Sequence, residues 1–422
     1  MDLPYLTPEF PGIAGSIKQR PEDFFVQELP LYEPTGEGEH VYCEIQKVGI
    51  TTFEAIDRIA RKLDVSPRGI GYAGMKDANA VTRQTLSILG TTPEAVMGLK
   101  LDDISILWAI RHGNKLRLGH LKGNRFAIRL RDVAPTDVVK LGPALKTIQE
   151  RGLPNFFGEQ RFGRRGDNHL LGAALIRSDP KGLLSHLLGN PKPNVEDSQT
   201  AGARKAFDRG DFKLAMKLWP RKSGMERRVL ARFIKTGKAG PALKAVDHRL
   251  TRLWVSAVQS WMFNQVLSQR LEANTFDHVL AGDLAFKHDN GACFLVEDAA
   301  AEQPRCQAFE ISPTGPLVGY RMSLPTGEPL KIEEAVMAEA QLHPKDFKVE
   351  SRDKVKGARR PLRVKPEDVE LAGGVDDHGT FITVAFTLPA GSFATVLMRE
   401  LIKDRLPVTP LDEAVTADHD AT

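Results

Sequence analysis

One short segment holds the residues best suited to chemistry: Gly71-Tyr72-Ala73-Gly74-Met75-Lys76-Asp77-Ala78-Asn79, running on to Gln84. A short apolar strand enters a glycine-containing turn and delivers an acid beside a lysine, ahead of another strand. A carboxylate at a strand-end turn can serve as nucleophile or base. The same pattern suits a turn aspartate that only hydrogen-bonds its own backbone. Periodicity does not separate the two readings, and it does not identify a reaction.

Other chemistries lack their residues. There is no GxxxxGK[ST] loop and no GxGxxG at a strand-to-helix turn, so neither ATP nor a dinucleotide is expected. There is no HExxH, and Cys43, Cys293 and Cys306 are far apart and odd in number, so no metal site and no disulfide framework is expected. The cysteine usage suits a reducing compartment. No apolar run approaches the roughly 18 residues of a membrane span. Met1-Asp2-Leu3-Pro4 has neither the basic nor the apolar region of a secretory signal, so the expected location is the cytoplasm.

The elements around Asp77 read as mixed α and β. Residues 39–47 alternate, with Val41, Cys43 and Ile45 on one face. Residues 51–63 read as a helix with capping-box spacing between Thr51 and Glu54. Short strands are expected at 70–73, 85–89, 104–110 and 126–130. Strands so close in sequence favour a mostly antiparallel sheet. From Gly152 the composition changes and helical patterns dominate, including a long helix at 247–272 behind an Asp247 cap. Residues 380–388 alternate again, with Ile382, Val384, Phe386 and Leu388 inward. Pro389-Ala390-Gly391 turns, and Ser392 opens a last helix.

Over 422 residues, 58 Lys+Arg against 54 Asp+Glu leave only +4, which excludes a bulk polycation but not a nucleic-acid partner. Residues 111–131 hold seven basic residues and no acid, residues 204–238 twelve against three, and residues 351–365 seven against one. One such cluster is usually a solvated face. Several together suit a phosphate backbone. Arg161, Arg164 and Arg165, interleaved with Phe156, Phe157 and Phe162, add a texture suited to unpaired bases.

Five ordered segments carry a family resemblance that spans nearly the whole chain. Residues 71–84 resemble the catalytic motif of the TruD family of tRNA pseudouridine synthases. Lys18-Gln19-Arg20-Pro21-Glu22-Asp23-Phe24, continuing to Glu28, resembles its N-terminal signature. Lys115-Leu116-Arg117-Leu118-Gly119-His120, continuing to Phe126, resembles its second motif. Asn155-Phe156-Phe157-Gly158-Glu159-Gln160-Arg161-Phe162-Gly163 resembles the start of its inserted domain. Pro389-Ala390-Gly391-Ser392-Phe393-Ala394-Thr395, with Arg399-Glu400-Leu401, resembles its C-terminal motif. The chain departs from the family's usual form at Ala78 and Asn79, where a basic residue commonly follows the aspartate, and at Phe156, commonly a tyrosine.

The resemblance implies an α+β fold: a pseudouridine synthase catalytic domain with a mixed, mainly antiparallel sheet built from both chain ends, plus an inserted α/β TRUD domain. The implied division is 1–151 and 363–410 for the catalytic domain, 152–362 for the insert and 411–422 for an acidic tail. It implies isomerisation of uridine, at position 13 of tRNA, with Asp77 as nucleophile and no cofactor. It places Phe24, Asn124 and Phe393 at the substrate. Asn124 can both donate to and accept from a uracil edge, and the two phenylalanines offer faces. Lys18, Phe126 and Arg399 are candidate supporting residues. Of the cations near Asp77, Lys18 or Arg399 is preferred, because Lys76 is adjacent in an extended segment and would point away. The expected partner is tRNA, with no membrane and no nucleotide cofactor, and a monomer as the default. The competing readings are an RNA methyltransferase, against which stands the missing glycine-rich cofactor loop, and a non-catalytic RNA-binding protein in which Asp77 is incidental.

Overall fold

The computed structural model describes residues 3–348 and 355–403. The acidic tail, 411–422, lies outside them, as does part of the 351–365 basic run. The chain opens with β1 (Phe24–Pro30), β2 (His40–Val48), α1 (Thr52–Leu63), β3 (Ile70–Tyr72), β4 (Val81–Leu89), α2 (Pro93–Met97), β5 (Ile104–His112), β6 (Leu121–Arg131) and α3 (Val138–Arg151). It closes with β13 (Glu367–Asp376), β14 (Gly379–Pro389) and α13 (Ala394–Ile402). These two ends build one eight-stranded sheet, ordered β13-β14-β6-β1-β4-β2-β5, with β3 also on β4. The pairing is antiparallel except between β1 and β4. The sheet is therefore mixed and mainly antiparallel, as the strand spacing suggested.

Period two decides which residues share a face. Val26 lies opposite Phe126 and Thr82, Phe126 opposite Phe386, and Thr82 opposite Lys47. On that face α3 and α13 cover Phe24, Val26, Phe126, Ile128 and Phe386. Helix α1 covers Val41, Cys43, Ile45, Leu86 and Ile88. Each fully buried aliphatic or aromatic side chain contributes about 1.5–3 kcal/mol of transfer free energy, so the two covered patches hold the sheet from its two halves. Between them, on β6, β1, β4 and β2, lie the polar residues Asn124, Glu28, Thr82, Gln84 and Lys47. A sheet face interrupted by buried polar groups is a place where a site is held at a cost in packing.

The middle of the chain leaves and returns through a two-stranded pair, β7 (Leu153–Pro154) with β12 (Arg363–Val364). Between them run α4 (Asn168–Ile176), α5 (Pro180–Leu188), α6 (Ser198–Asp208), α7 (Phe212–Leu218), α8 (Gly224–Thr236), α9 (Ala239–Leu243) and α10 (His248–Glu272). Strands β8 (Leu284–Lys287), β9 (Cys293–Leu295), β10 (Ile311–Leu317) and β11 (Ala358–Pro361) form a second sheet, with α11 (Ala299–Gln307) and α12 (Gly327–Ala340) beside it. Asp247 caps α10 by accepting from the Arg249 amide. The 25-residue helix α10 is the beam of this region. Trp254 joins the core shared by α5–α9, and Phe263 and Leu267 join the core under the large sheet.

Candidate active site

Asp77 sits in the loop at 73–80 between β3 and β4, and three buried residues fix that loop. The Lys76 amide donates to the Thr52 hydroxyl at 3.0 Å, and that hydroxyl donates to Gln84 at 2.9 Å. Gln84 in turn reaches the Gly74 carbonyl at 3.5 Å. The Lys47 amine, wholly buried, donates to the carbonyls of Ile50 at 2.6 Å and Asp77 at 2.8 Å. Burial pulls that amine down to about 8, with Asp77 opposing the shift and Lys76 adding to it. The Lys76 side chain turns to Glu28 at 2.7 Å, in a pair almost fully covered. The Asp77 carboxylate takes another direction, meeting Lys18 at 2.7 Å while keeping 31% of its side chain exposed.

Lys18 adopts φ +59°, the left-handed region that lysine rarely visits. Ser16 and Arg131, bonded through both backbone amides, hold the approach to it. The Lys18 ammonium also lies 4.2 Å from the centre of the Phe24 ring. Phe24 is buried, edge-on to Phe126, which packs on Phe386. Asn124 shares the Phe126 face of β6, and its side-chain oxygen is buried with no hydrogen-bond partner. A buried acceptor left unpaired costs about 1–3 kcal/mol, so it marks a place where a ligand donor would be welcome.

A second group joins the middle region to the C-terminal turn. Arg360 donates to Asn155 and to the Gly391 carbonyl, and lies 4.2 Å from the Phe157 ring centre. Burial, with Arg161 adding, pulls its guanidinium down to about 9, which leaves it charged at neutral pH. Asn264 on α10 pairs with both backbone groups of Phe157, at 2.9 and 3.0 Å. Phe393, the cap residue of α13, packs half-buried on Phe157 with ring centres 5.9 Å apart.

The family model described as tRNA pseudouridine synthase D (TruD) matches residues 1–401. The chain belongs to this family. Two curated relatives carry the name tRNA pseudouridine synthase D. One, from Geotalea daltonii, is 46% identical, covering 95% of this chain and 99% of its own length. The other, from Geobacter sulfurreducens, is 48% identical over 95% of this chain and 97% of its own. A crystal structure from Methanosarcina mazei described as a TruD synthase aligns with TM-score 0.81 at 29% identity, over 96% of this chain and 99% of that one. The resemblance carried by the five segments is thereby shown.

Within this TruD-family chain the residues singled out from sequence fall into three places. Asp77, Lys18, Phe24 and Phe126 form one connected set, with Asn124 beside it on the sheet. Phe393 belongs with Phe157 and Arg360. Arg399 goes elsewhere: it donates to the carbonyls of Leu3 and Pro4 and lies 3.8 Å from the Tyr5 ring centre. Among the described residues no cluster of His, Cys, Asp and Glu could hold a metal.

The basic zones divide: in the 111–131 run Lys115, Arg117 and Lys122 are exposed, whereas other members pair with acids. Arg131 is buried against Asp23 and Asp376, Arg129 also meets Asp376, and Arg125 meets Glu370. Arg165 pairs with Asp167, and Arg204 with Glu196. Phe156, Phe157 and Phe162 are core residues rather than exposed stacking faces. Sequence reasoning missed Lys47 and Arg360. Lys47 carried a signal, because it continues the inward parity of Val41, Cys43 and Ile45. Arg360 carried none, lying within a basic run that read as surface.

Proposed function

We propose that this chain isomerises uridine to pseudouridine in tRNA, at position 13, with Asp77 as the nucleophile. The observation that carries the reading is the Asp77 carboxylate: held by its own buried backbone anchors, paired with Lys18, and still one-third open. In the reaction the N1–C1′ bond breaks, the uracil turns, and C5 bonds to C1′. A proton leaves C5 and one is taken up at N1, so the step is redox-neutral and calls for no cofactor. Asp77 attacks either the ring or the ribose carbon. Lys18 pairs with the carboxylate beforehand and stabilises it when it leaves. The target base must first come out of its stack. The unpaired Asn124 oxygen then accepts from the uracil N3–H, and the Phe24 and Phe393 regions supply apolar walls. On this reading 1–151 and 363–410 form the catalytic domain around the insert at 152–362.

Incubating the purified protein with tRNA and mapping pseudouridine tests the reading. Conversion at position 13 is expected without added cofactor. D77N should abolish it while leaving tRNA affinity within a few fold. Full activity in D77N would overturn the nucleophile, and no conversion at that position in any tRNA would overturn the target.

A further inference from the structure

Helices α5–α9 make a lobe with its own apolar core of Leu184, Leu187, Ala203, Trp219, Val229 and Leu230. Its basic residues divide sharply. Arg204 is buried and paired with Glu196, and Arg227 donates to the carbonyls of Met216 and Trp219. Arg228, Arg232 and Lys235 are exposed, and among the described residues none has an acidic partner. Their spacing of four and three places all three on one face of α8. Val229, Leu230 and Phe233 occupy the opposite face, against the core.

Arg228 and Arg232, four residues apart, repel one another and destabilise the helix by about 0.2–0.5 kcal/mol. They suit a polyanion whose counterions they replace. Their place in the fold limits which part of that polyanion they meet. Helix α10 seats Trp254 in the lobe and Asn264 beside Phe157, about 15 Å further along its axis. Helix α8 packs on α5, α7 and α9, so this face is carried by the lobe rather than by the sheet that presents Asp77.

We propose that the Arg228–Arg232–Lys235 face of α8 docks the phosphate backbone of the bound tRNA away from the reactive uridine. This inference rests on tRNA being the substrate. The docking face sets affinity for the whole tRNA and does not enter the chemistry at Asp77.

The test measures binding across a salt series, with full-length tRNA and with a short stem-loop carrying the same uridine. The proteins are wild type and the triple variant R228E/R232E/K235E, with R228A/R232A/K235A as a milder second form and circular dichroism checking the fold. The expected result is at least about a tenfold loss of tRNA affinity, with a salt slope shallower by roughly 2–3. KM for tRNA rises with kcat unchanged, and stem-loop binding is unaffected. Unchanged tRNA affinity and slope in both variants would overturn the proposal. An equal loss on the stem-loop would also overturn it, since the face would then act at the uridine itself. Wild-type protein that binds tRNA through this face but forms no pseudouridine would sink the functional reading and leave the docking face standing.

Discussion

At the scale of single residues, Lys47 is the group whose behaviour follows most directly from its surroundings. Its amine has no exposure and donates to carbonyls, one of them on Asp77 itself. Asp77 and Lys76 are the charged groups that act on it, in opposite directions, and burial outweighs both. Its folded value of about 8 lies below the ordinary 10.5. Between those limits the unfolded chain holds more protons than the folded one, so this group makes stability rise with pH across that window. Below pH 8 the buried charge is a constant burden. Comparing wild type with K47M in urea denaturation isolates the effect. The stability difference in favour of wild type should grow by on the order of 2–3 kcal/mol from pH 8 to 10.5. A flat difference would show that the amine does not titrate there. The same variant removes a donor from the Asp77 carbonyl, so kcat should fall at least about tenfold with a smaller change in KM.

At the scale of elements, the Asp77 loop depends on how α1 begins. Thr51 caps the helix by accepting from the Glu54 amide, as its spacing indicated. Thr52, one residue on, links the Lys76 amide to Gln84. T52V would leave a buried acceptor and a buried amide unpaired, at about 1–3 kcal/mol. Urea denaturation should show that loss and kcat should fall with it, while T52S keeps both. A T52V protein as stable as wild type would mean the loop is fixed without Thr52. Elements such as α1, β2, α10 and β14 were legible because each carries a complete local signal, a cap or an uninterrupted alternation. Helix α13 was nearly so, starting at Ala394 rather than Ser392. Strand β13 was not legible: it is an edge strand exposed along much of its length, and Glu367 and Glu370 give it no inward apolar alternation. The pair β7–β12 has only two residues on each side and no pattern to read. Asp77 and Phe393 came from resemblance, since their local patterns equally fit a turn and a core.

At the scale of the whole molecule, the near-neutral charge is divided between two uses that sequence could not separate. Arg131 and Arg228 are the same residue type in basic runs of similar density. What distinguishes them is a partner 245 residues away: Asp376 on β13 crosses β14 to meet Arg131 at 2.7 Å. The Arg131 guanidinium also holds Asp23, which is completely buried, at 2.6 Å. Together with Ser16 on its backbone, this places Arg131 behind the segment that presents Lys18 to Asp77. R131M therefore leaves the Asp23 carboxylate buried without its cation, a change that costs about 3–5 kcal/mol when a buried pair is broken. Because Arg131 faces no solvent, the variant should leave the salt slope of tRNA binding unchanged, measured at a temperature where it remains folded. The α8 charge reversals should show the opposite signature, a shallower slope with little loss of stability. An R131M protein that unfolds like wild type but binds tRNA with a shallower slope would reverse this assignment. It would make Arg131 part of a phosphate surface after all.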